Sequence, residues 1–311
     1  MSLNKPKYAW LNGEKVAWDN CVVHVRTQGA FWGANVFEGV RGYWNAQQQQ
    51  IFMYRIQEHI DRLRGSMKCV DMPVTYTDEE IIEASVGLLQ ANEYQEDVHI
   101  VIAPYFAMGP NFDPLCHTED TGMHITAIPM PRSPKYDSGA AATVSTWRRI
   151  SDDSMPPRIK TGANYHNSRL AQHEAVRNGF DTALFLNQRG TISEGPGSCL
   201  MMFNRGVLTT PPGTSGVLEG ITVDSVAQIA MQQMGLKFER REIDRTELYT
   251  AEEVFTVGTL SEITPLISVD RKVIGNGQRG PIVQELQRLY ELEVRLEPKA
   301  QLSTPIYYKG L

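Results

Sequence analysis

Short apolar, β-branched runs alternate with amphipathic helical patterns along almost the whole of this sequence. The first third begins with a hairpin signal at Asn12-Gly13. A helical pattern then covers residues 56–70, and the capping pair Thr77 and Glu80 precedes another helix. A continuous apolar run, VHIVIAPYF, predicts a buried strand after these helices. A chain with this alternation has to pack helices against sheets, so we expect a mixed α/β (α+β) fold.

The stretch PRSPKYDSGAA, rich in Pro, Ser and Gly, interrupts this alternation. The chain has 311 residues, which is long for a single hydrophobic core. We therefore predict two unequal domains, a small N-terminal α/β domain over residues 1–135 and a larger C-terminal domain over residues 136–311.

Charge and cysteine content exclude several classes of function. The formal net charge of -6 leaves no basic surface for nucleic acid or an anionic membrane. The N-terminus does not read as a signal peptide and no apolar run approaches a membrane span, so we expect a cytoplasmic protein. No metal site is expected. The four cysteines form no C-x-x-C pair and are expected to be reduced and mostly buried: Cys21, Cys69, Cys116 and Cys199.

Four segments have an unusual composition: RIKTGANYHNSRL, TISEGPGS, LEGIT and FTVGTLSEIT. An isolated lysine such as Lys160 is usually solvated, and Glu194 alone would be an ordinary turn glutamate. Pyridoxal phosphate chemistry, however, needs a lysine, a partner for the pyridine nitrogen, a donor to the phenolic oxygen and an anion site. The sequence offers candidates for all four.

The anion site is the start of the helix TVDSVAQIAMQQMG. Gly220, Ile221 and Thr222 begin this helix, where N–H groups and the helix dipole favour an anion. Thr222 is equally well explained as a simple N-cap, and both interpretations can hold together.

The motifs K-x-G-x-N-Y-x-x-S, I-S-E-G-x-G, G-I-T and G-T-x-x-E-I-T follow one another in this order. Together they resemble the class IV, or fold type IV, pyridoxal-phosphate aminotransferases, and most closely the branched-chain amino acid aminotransferases. The resemblance extends from KYAWLNGEKVAW to PIVQELQRLYELE. It implies two unequal domains with pyridoxal 5'-phosphate at their interface.

The resemblance also assigns roles. Lys160 becomes the catalytic Schiff-base lysine, Tyr165 the donor to the phenolic oxygen, and Glu194 the partner of the pyridine nitrogen. Arg62 matches the arginine that clamps the phosphate in a fork, although helical spacing alone would make it a surface residue. The other cofactor-binding candidates are Gly220, Ile221, Thr222, Gly258 and Thr259.

Substrate recognition is less clearly specified. The segment GAFWGANVFEGVRGYW resembles the part of the family that forms the side-chain pocket, with Trp32 and Phe37 as aromatic walls and Arg41 as a nearby cation. Ordinary core packing is the commoner fate of such aromatics. Thr259 and Leu260 are further substrate-binding candidates.

The strand VHIVIAPYF departs from the family pattern. Branched-chain enzymes usually carry Tyr-x-Arg there, whereas this chain has His99 and Val101. Valine supplies no cation, so the family's recognition of a substrate carboxylate is in question on this side. His99 can still donate a hydrogen bond, although a histidine with only a structural role is as common.

The leading hypothesis is transamination between a hydrophobic, branched-chain-like amino donor and a 2-oxo acid acceptor. An (R)-selective amine or D-amino acid transaminase is the alternative. An aminodeoxychorismate-lyase-like enzyme is a remote alternative, and a non-catalytic relative is a fourth hypothesis. The resemblance further implies at least a homodimer, in which MGPNFDP is the loop contributed to a neighbouring site.

Overall fold

The computed structural model describes residues 5–110, 113, 115, 117–296 and 308–309. The chain forms two compact units. The first comprises Met1–Pro131, Ile159–Ala163 and Ile306–Leu311, and the second comprises Arg132–Arg158 and Asn164–Pro305. The predicted domains, 1–135 and 136–311, stay a prediction; the compact units differ from them by placing Ile159–Ala163 in the first unit.

Within the described residues, the first unit contains a seven-stranded sheet in the order β15-β4-β3-β5-β6-β1-β2, with antiparallel neighbours throughout. The strands are β1 (Tyr8–Leu11), β2 (Glu14–Ala17), β3 (Glu38–Asn45), β4 (Gln50–Tyr54), β5 (Val98–Phe106), β6 (Thr121–Pro129) and β15 (Tyr308–Lys309). The helices are α1 (Gln28–Phe31), α2 (Ile56–Cys69) and α3 (Asp78–Asn92), and a short 3-10 helix covers Trp18–Asn20.

Local sequence signals explain the boundaries in this unit. Asn12 and Gly13 both adopt positive φ between β1 and β2, as the hairpin signal predicts. Thr77 and Glu80 form the predicted capping box at the start of α3. The core lies between α2, α3 and one face of the sheet, where Ile100 and Ile102 of β5 are fully buried. Side chains alternate along a strand, so His99 and Val101 lie on the opposite face.

Within the described residues, the second unit has an eight-stranded sheet. Seven strands follow the order β11-β10-β9-β12-β13-β7-β8, and β14 pairs with β13. The strands are β7 (Ala140–Arg148), β8 (Thr182–Leu186), β9 (Cys199–Asn204), β10 (Val207–Thr210), β11 (Lys237–Arg240), β12 (Glu253–Gly258), β13 (Glu262–Val269) and β14 (Lys272–Val273). The helices are α4 (Lys135–Ser138), α5 (Tyr165–Arg177), α6 (Ile221–Gln233), α7 (Arg245–Leu248) and α8 (Pro281–Val294), and Gly213–Ser215 is a 3-10 turn. A further 3-10 turn, Gly162–Asn164, begins in the first unit and ends at the first residue of the segment Asn164–Pro305 of the second.

The second sheet is mixed. β7 pairs in parallel with β8 and β13, and β10 pairs in parallel with β11, whereas β9, β12 and β13 are joined by antiparallel ladders. The predicted mixed α/β fold is confirmed by both units. No pattern in the sequence predicted β11, because its sequence KFER is short and mostly polar.

Two further sequence predictions concern single segments. The cysteines were predicted to be mostly buried, and this is wrong for Cys69, which is exposed at the end of α2; Cys21 is half-buried and Cys199 buried. Three residues of MGPNFDP (111, 112 and 114), and Cys116, lie outside the described residues. In the described part of the chain, no helix is both long and apolar enough to cross a bilayer.

Candidate active site

Backbone hydrogen bonds hold Lys160 against the residues that directly precede β3 in the first unit. Phe37 N–H donates to the Lys160 carbonyl at 2.9 Å, and Lys160 N–H donates to Ser66 Oγ at 3.2 Å. A bridge between Val36 and Thr161 continues this pairing. Lys160 Nζ lies 4.8 Å from the centroid of the Phe37 ring, within the range of a cation–π contact. Lys160 is therefore a half-buried residue whose backbone is held in place and whose amine lies over an aromatic face.

Arg62 belongs to a buried charge cluster on the other side of β3. Its Nε donates to Glu38 Oε1 at 2.7 Å and its Nη2 to Glu38 Oε2 at 2.8 Å. His59, one turn earlier on α2, places Nδ1 2.7 Å from Glu38 Oε2. Arg62 is thus not the surface residue that helical spacing alone favours. It forms a fork with a fully buried carboxylate.

The protonation state of this cluster follows from burial and charge. Burial raises the pKa of Glu38, but Arg62 and His59 outweigh it and hold that pKa at about 2. Burial lowers the pKa of His59 despite the opposing effect of Glu38. An ionised carboxylate only accepts hydrogen bonds, so His59 carries its proton on Nδ1. The cluster consists of an anion, a cation and a neutral imidazole.

Glu194 is the corresponding buried carboxylate of the second unit. Its Oε1 lies 2.8 Å from Arg149 Nη2, and its Oε2 accepts the backbone N–H of Leu218 at 3.0 Å. Glu194 and Arg149 are each only 5% exposed. Arg149 Nε also donates to the Gly216 carbonyl at 3.2 Å, which anchors the guanidinium to the loop before α6. Glu194 is therefore a fixed, buried carboxylate, and not the exposed turn residue considered as its alternative.

The predicted anion-binding segments lie next to the Glu194 loop within the second unit. A Cβ at Gly220 would lie 2.8 Å from Cys199 Sγ, and a Cβ at Gly258 would lie 3.4 Å from the Gly197 carbonyl. Glycine is needed where two chain segments approach this closely. The start of α6 and the β12–β13 turn are thus both packed against residues 197–199.

The remaining cofactor-side candidates occupy these elements. Gly220 is the N-cap of α6, and Ile221 and the buried Thr222 form its first turn. Thr259 follows β12 in the turn and is half-buried. Tyr165 is the first residue of α5 and is half-buried. Because Gly220 carries no side chain, it cannot cap the amide groups at this end of α6.

A cavity of about 440 Å³ opens on the face of the first sheet that carries His99. The residues that line it include Lys5, Trp18, His99, Val101, Thr126 and Ile128. Burial, together with the charges of Lys160 and Arg41, lowers the pKa of His99 to about 4, so its imidazole is neutral near pH 7. The volume suits a small organic ligand, and the lining is mostly apolar.

The other substrate-side candidates are distributed differently. Trp32 is 59% exposed and Leu260 is 43% exposed. Arg41 is buried, and its Nη2 donates to the Met130 carbonyl at 2.9 Å and lies 3.8 Å from Asp97 Oδ2. Phe37 is half-buried beneath Lys160. The structure thus brings Phe37 and His99 onto one face of the first sheet, whereas Trp32 projects outwards.

Sequence reasoning assigned no role to Glu38, His59 or Arg149. A usable signal was present for the first two, because Glu38 enters an otherwise buried strand and His59 lies three residues before Arg62. Arg149 had no such signal in the polar stretch WRRISDD. In the described part of the chain, no group of His, Cys, Asp or Glu side chains is arranged to hold a metal ion.

Solved structures define the class. The crystal structure of the branched-chain amino acid aminotransferase from Thermobaculum terrenum in PLP-form matches with a TM-score of 0.91 and 39% identity, covering 98% of both chains. The crystal structure of the branched-chain aminotransferase from the thermophilic archaeon Thermoproteus uzoniensis with norvaline matches with a TM-score of 0.90 and 35% identity, covering 98% of this chain and 99% of that one. The fold is that of the fold type IV aminotransferases.

Sequence comparisons give the family. Residues 35–269 match the family described as amino-transferase class IV. A probable branched-chain-amino-acid aminotransferase of Aquifex aeolicus (strain VF5) is 35% identical over 307 residues, 97% of each chain. This chain belongs to the class IV aminotransferases. The predicted family, fold type and aminotransferase activity are confirmed, and the roles of individual residues stay predictions.

Proposed function

We propose that this enzyme uses pyridoxal 5'-phosphate to transfer the amino group of a hydrophobic, branched-chain-like amino acid to a 2-oxo acid. The observation that carries the proposal is the position of Lys160 in a class IV aminotransferase: its backbone is paired with Phe37, and its amine lies 4.8 Å from the centroid of the Phe37 ring. Relatives that are 35–39% identical over nearly their full length are named branched-chain aminotransferases, which supports the choice of donor.

The side chains present fit such a cofactor chemically. Lys160 offers an amine for its aldehyde, and Glu194 is a buried carboxylate that suits a protonated ring nitrogen. Arg62 offers a guanidinium, and α6 begins with backbone amides, both of which suit a phosphate. When bound, pyridoxal phosphate supplies an electron sink for the pair left at the substrate α-carbon.

The chain's own residues then hold groups and move protons. Lys160 Nζ would hold the cofactor at rest, and the freed amine nitrogen would accept a proton from the substrate α-carbon. Glu194 keeps the ring nitrogen protonated, and Tyr165 donates to the phenolic oxygen. Arg62, Ile221, Thr222 and Thr259 bind the phosphate, with Gly220 and Gly258 allowing close approach of the backbone.

The cavity beside His99 is the proposed site of the donor's side chain. Val101 and Ile128 give it apolar walls, and a volume of about 440 Å³ accommodates a branched aliphatic group. His99 contributes a neutral imidazole that can donate one hydrogen bond. The proposed acceptor of the amino group is a small 2-oxo acid.

The same cavity favours a second candidate, an (R)-selective amine or D-amino acid transaminase. Lys5 is the formally charged residue among those that line the cavity, and it is paired with Asp19 at 2.5 Å. Val101 offers no cation for a carboxylate. A donor without a carboxylate would therefore lose little in this cavity.

A donor and acceptor panel separates these candidates. We expect turnover of leucine, isoleucine or valine with 2-oxoglutarate or pyruvate, and a visible cofactor band that shifts when the donor is added. Turnover of one phenylethylamine enantiomer but of no branched-chain amino acid would establish the second candidate. Pyruvate release from aminodeoxychorismate without any acceptor would identify a lyase instead.

Lys160→Ala tests the central residue. Turnover should fall by more than about a thousandfold, because both the covalent link and the proton transfer are lost. Lys160→Arg is the matched control, since it keeps the positive charge but cannot form the link. If either variant retained the cofactor band and full turnover, the assignment of Lys160 would be wrong.

We also propose that a second copy of this chain covers the segment around α1. Val22, Val25, Phe31 and Trp32 are each more than half exposed and lie close together in sequence, and the rings of Phe31 and Trp32 are in contact, with centroids 5.0 Å apart. Exposed apolar groups that are contiguous mark interaction surfaces. Sedimentation should give twice the mass of one chain or more, and Phe31→Ser/Trp32→Ser should dissociate it. Leu170→Ser, at an exposed position on α5, is the control. A monomeric wild type would overturn this proposal.

A further inference from the structure

Glu38 is a charged residue placed where the sequence around it is apolar. It begins β3 and points to the helix-covered face of the sheet, as does the fully buried Val40 two residues later. Its side chain is 0% exposed. A carboxylate in such a place is costly unless charged or hydrogen-bonding groups surround it.

The surrounding groups all come from one face of α2. Arg62 and His59 are three residues apart, so their side chains point the same way along the helix. Arg62 presents Nε and Nη2 to the two carboxylate oxygens, which is a side-on fork, and His59 donates to Oε2. The guanidinium plane is thereby fixed relative to β3, because a two-point contact removes rotation that a single contact would allow.

A purely structural ion pair is the competing explanation. Replacing a buried ion pair by apolar residues is often neutral or stabilising, so stability alone gives a weak reason for it. The arginine of this pair is also partly accessible, with 17% of its side chain exposed against none of the carboxylate. The exposed part of the Arg62 side chain is the part that can meet a ligand.

We propose that Glu38 is a positioning residue, which acts through Arg62 by holding its guanidinium in the orientation that binds the cofactor's phosphate. This inference rests on the proposed function. Because Glu38 also compensates the charge of Arg62, phosphate affinity depends on directed hydrogen bonds more than on net positive charge. His59, a neutral imidazole, donates one further hydrogen bond to Glu38 Oε2, the oxygen that also accepts from Arg62 Nη2.

The test compares two ligands that differ only in the phosphate group. Pyridoxal 5'-phosphate and pyridoxal are each titrated into the full-length chain freed of cofactor, and the dissociation constants are read from absorbance. Glu38→Gln keeps the size of the side chain but loses the anionic fork. We expect its affinity for pyridoxal 5'-phosphate to fall by about 10- to 100-fold, as for loss of a charge-assisted contact. Pyridoxal affinity should change less than about twofold, because pyridoxal makes no phosphate contact.

Two further variants keep the test decisive. Glu38→Asp retains the charge but shortens the reach by one methylene, so it should fold and give an intermediate loss for the phosphorylated ligand alone. Asp78→Asn is the matched control, since it neutralises the carboxylate partner of Arg64, another arginine of α2, whose Nε and Nη2 both donate to Asp78 Oδ1 at 2.9 and 2.7 Å. It should leave both affinities unchanged.

The outcomes separate the inference from the function on which it rests. If Glu38→Gln and Glu38→Asp lower the affinities for both ligands equally, Glu38 has a structural role only. If neither affinity changes, Glu38 has no role in binding. Either result overturns the inference while transamination by the wild type stands. A wild type that binds neither ligand and transaminates no donor would overturn the proposed function, and the inference with it.

Discussion

Two buried glutamates of this chain are each paired with an arginine, yet they are held differently. Both oxygens of Glu38 in the first unit are engaged by side chains, those of Arg62 and His59. Glu194 in the second unit is engaged by Arg149 and by the backbone N–H of Leu218. A carboxylate surrounded by side chains can orient them, whereas one anchored to the backbone is itself oriented. The first arrangement suits a positioning residue and the second suits a group that meets a ligand.

Removing Arg149 tests the pair in the second unit, in which both members are buried. Arg149→Met leaves the Glu194 charge without its cation at a site that is 5% exposed. We expect the free energy of unfolding to fall by about 3–5 kcal/mol, which is usual when one charge of a buried ion pair loses its partner. Denaturant titration measures this loss. Adding Glu194→Gln should recover part of it, and a double variant as unstable as the single one would show that the pair is not the cause.

Neutralising Glu194 itself tests its role towards the ligand. Glu194→Gln keeps the shape but cannot stabilise a positive charge on the ring nitrogen, so kcat should fall by about 10²- to 10³-fold. Cofactor affinity should change far less, in contrast to Glu38→Gln. If the comparison holds, Glu194→Gln therefore lowers kcat more than cofactor affinity, whereas Glu38→Gln lowers chiefly the cofactor affinity. Equal patterns, with kcat and affinity lost together in both, would remove the distinction.

Acid stability tests the Glu38 cluster without any ligand. The pKa of Glu38 is depressed to about 2, so the folded protein binds its proton less readily than the unfolded chain. The stabilising effect is complete above the ordinary glutamate pKa and is lost as pH falls towards 2. It amounts to about 2–3 kcal/mol, and Glu38→Gln should flatten the stability curve in that window. A curve as steep as that of the wild type would show that other carboxylates dominate.

Local patterns made much of the fold predictable. The hairpin at Asn12 and the capping box at Thr77 were read correctly because each signal is confined to a few neighbouring residues. The strand β11 was missed because its identity depends on parallel pairing with β10, which no local pattern encodes. The exposure of Cys69 was missed for a similar reason, since only the packing of α2 decides which of its faces is covered.

The candidate site shows the same division. Lys160, Glu194 and Arg62 carry recognisable motifs, so their chemistry could be proposed from sequence. Their partners lie far away in sequence: Glu38 is 24 residues from Arg62, and Arg149 is 45 residues from Glu194. Long-range pairs of this kind are fixed by topology, and a single sequence gives no measure of distance between them.

A substitution at Gly39 tests whether the two faces of β3, which carry Glu38 and the His99 cavity, act independently. A Cβ there would lie 2.6 Å from His99 Nε2, so Gly39→Ala forces the imidazole to shift on the cavity face. Stability should fall by about 1–3 kcal/mol, as for an overpacked site, and kcat/KM for the donor should fall with it. The preference for pyridoxal 5'-phosphate over pyridoxal should stay at the wild-type value. A change in that preference would show that the Glu38 face and the His99 face are coupled.

The smallest expected effect comes from the helix that carries His59 and Arg62. Gly65 lies in α2 with nothing within 4 Å of an added Cβ, apart from the helix's own backbone. Alanine restricts the unfolded chain and fits the helix, so Gly65→Ala should raise the free energy of unfolding by about 0.5–1 kcal/mol. Cofactor affinity should not change, because Glu38 already fixes the guanidinium. Tighter binding of pyridoxal 5'-phosphate after this substitution would mean that fluctuations of α2, and not the fork to Glu38, limit how well Arg62 is oriented.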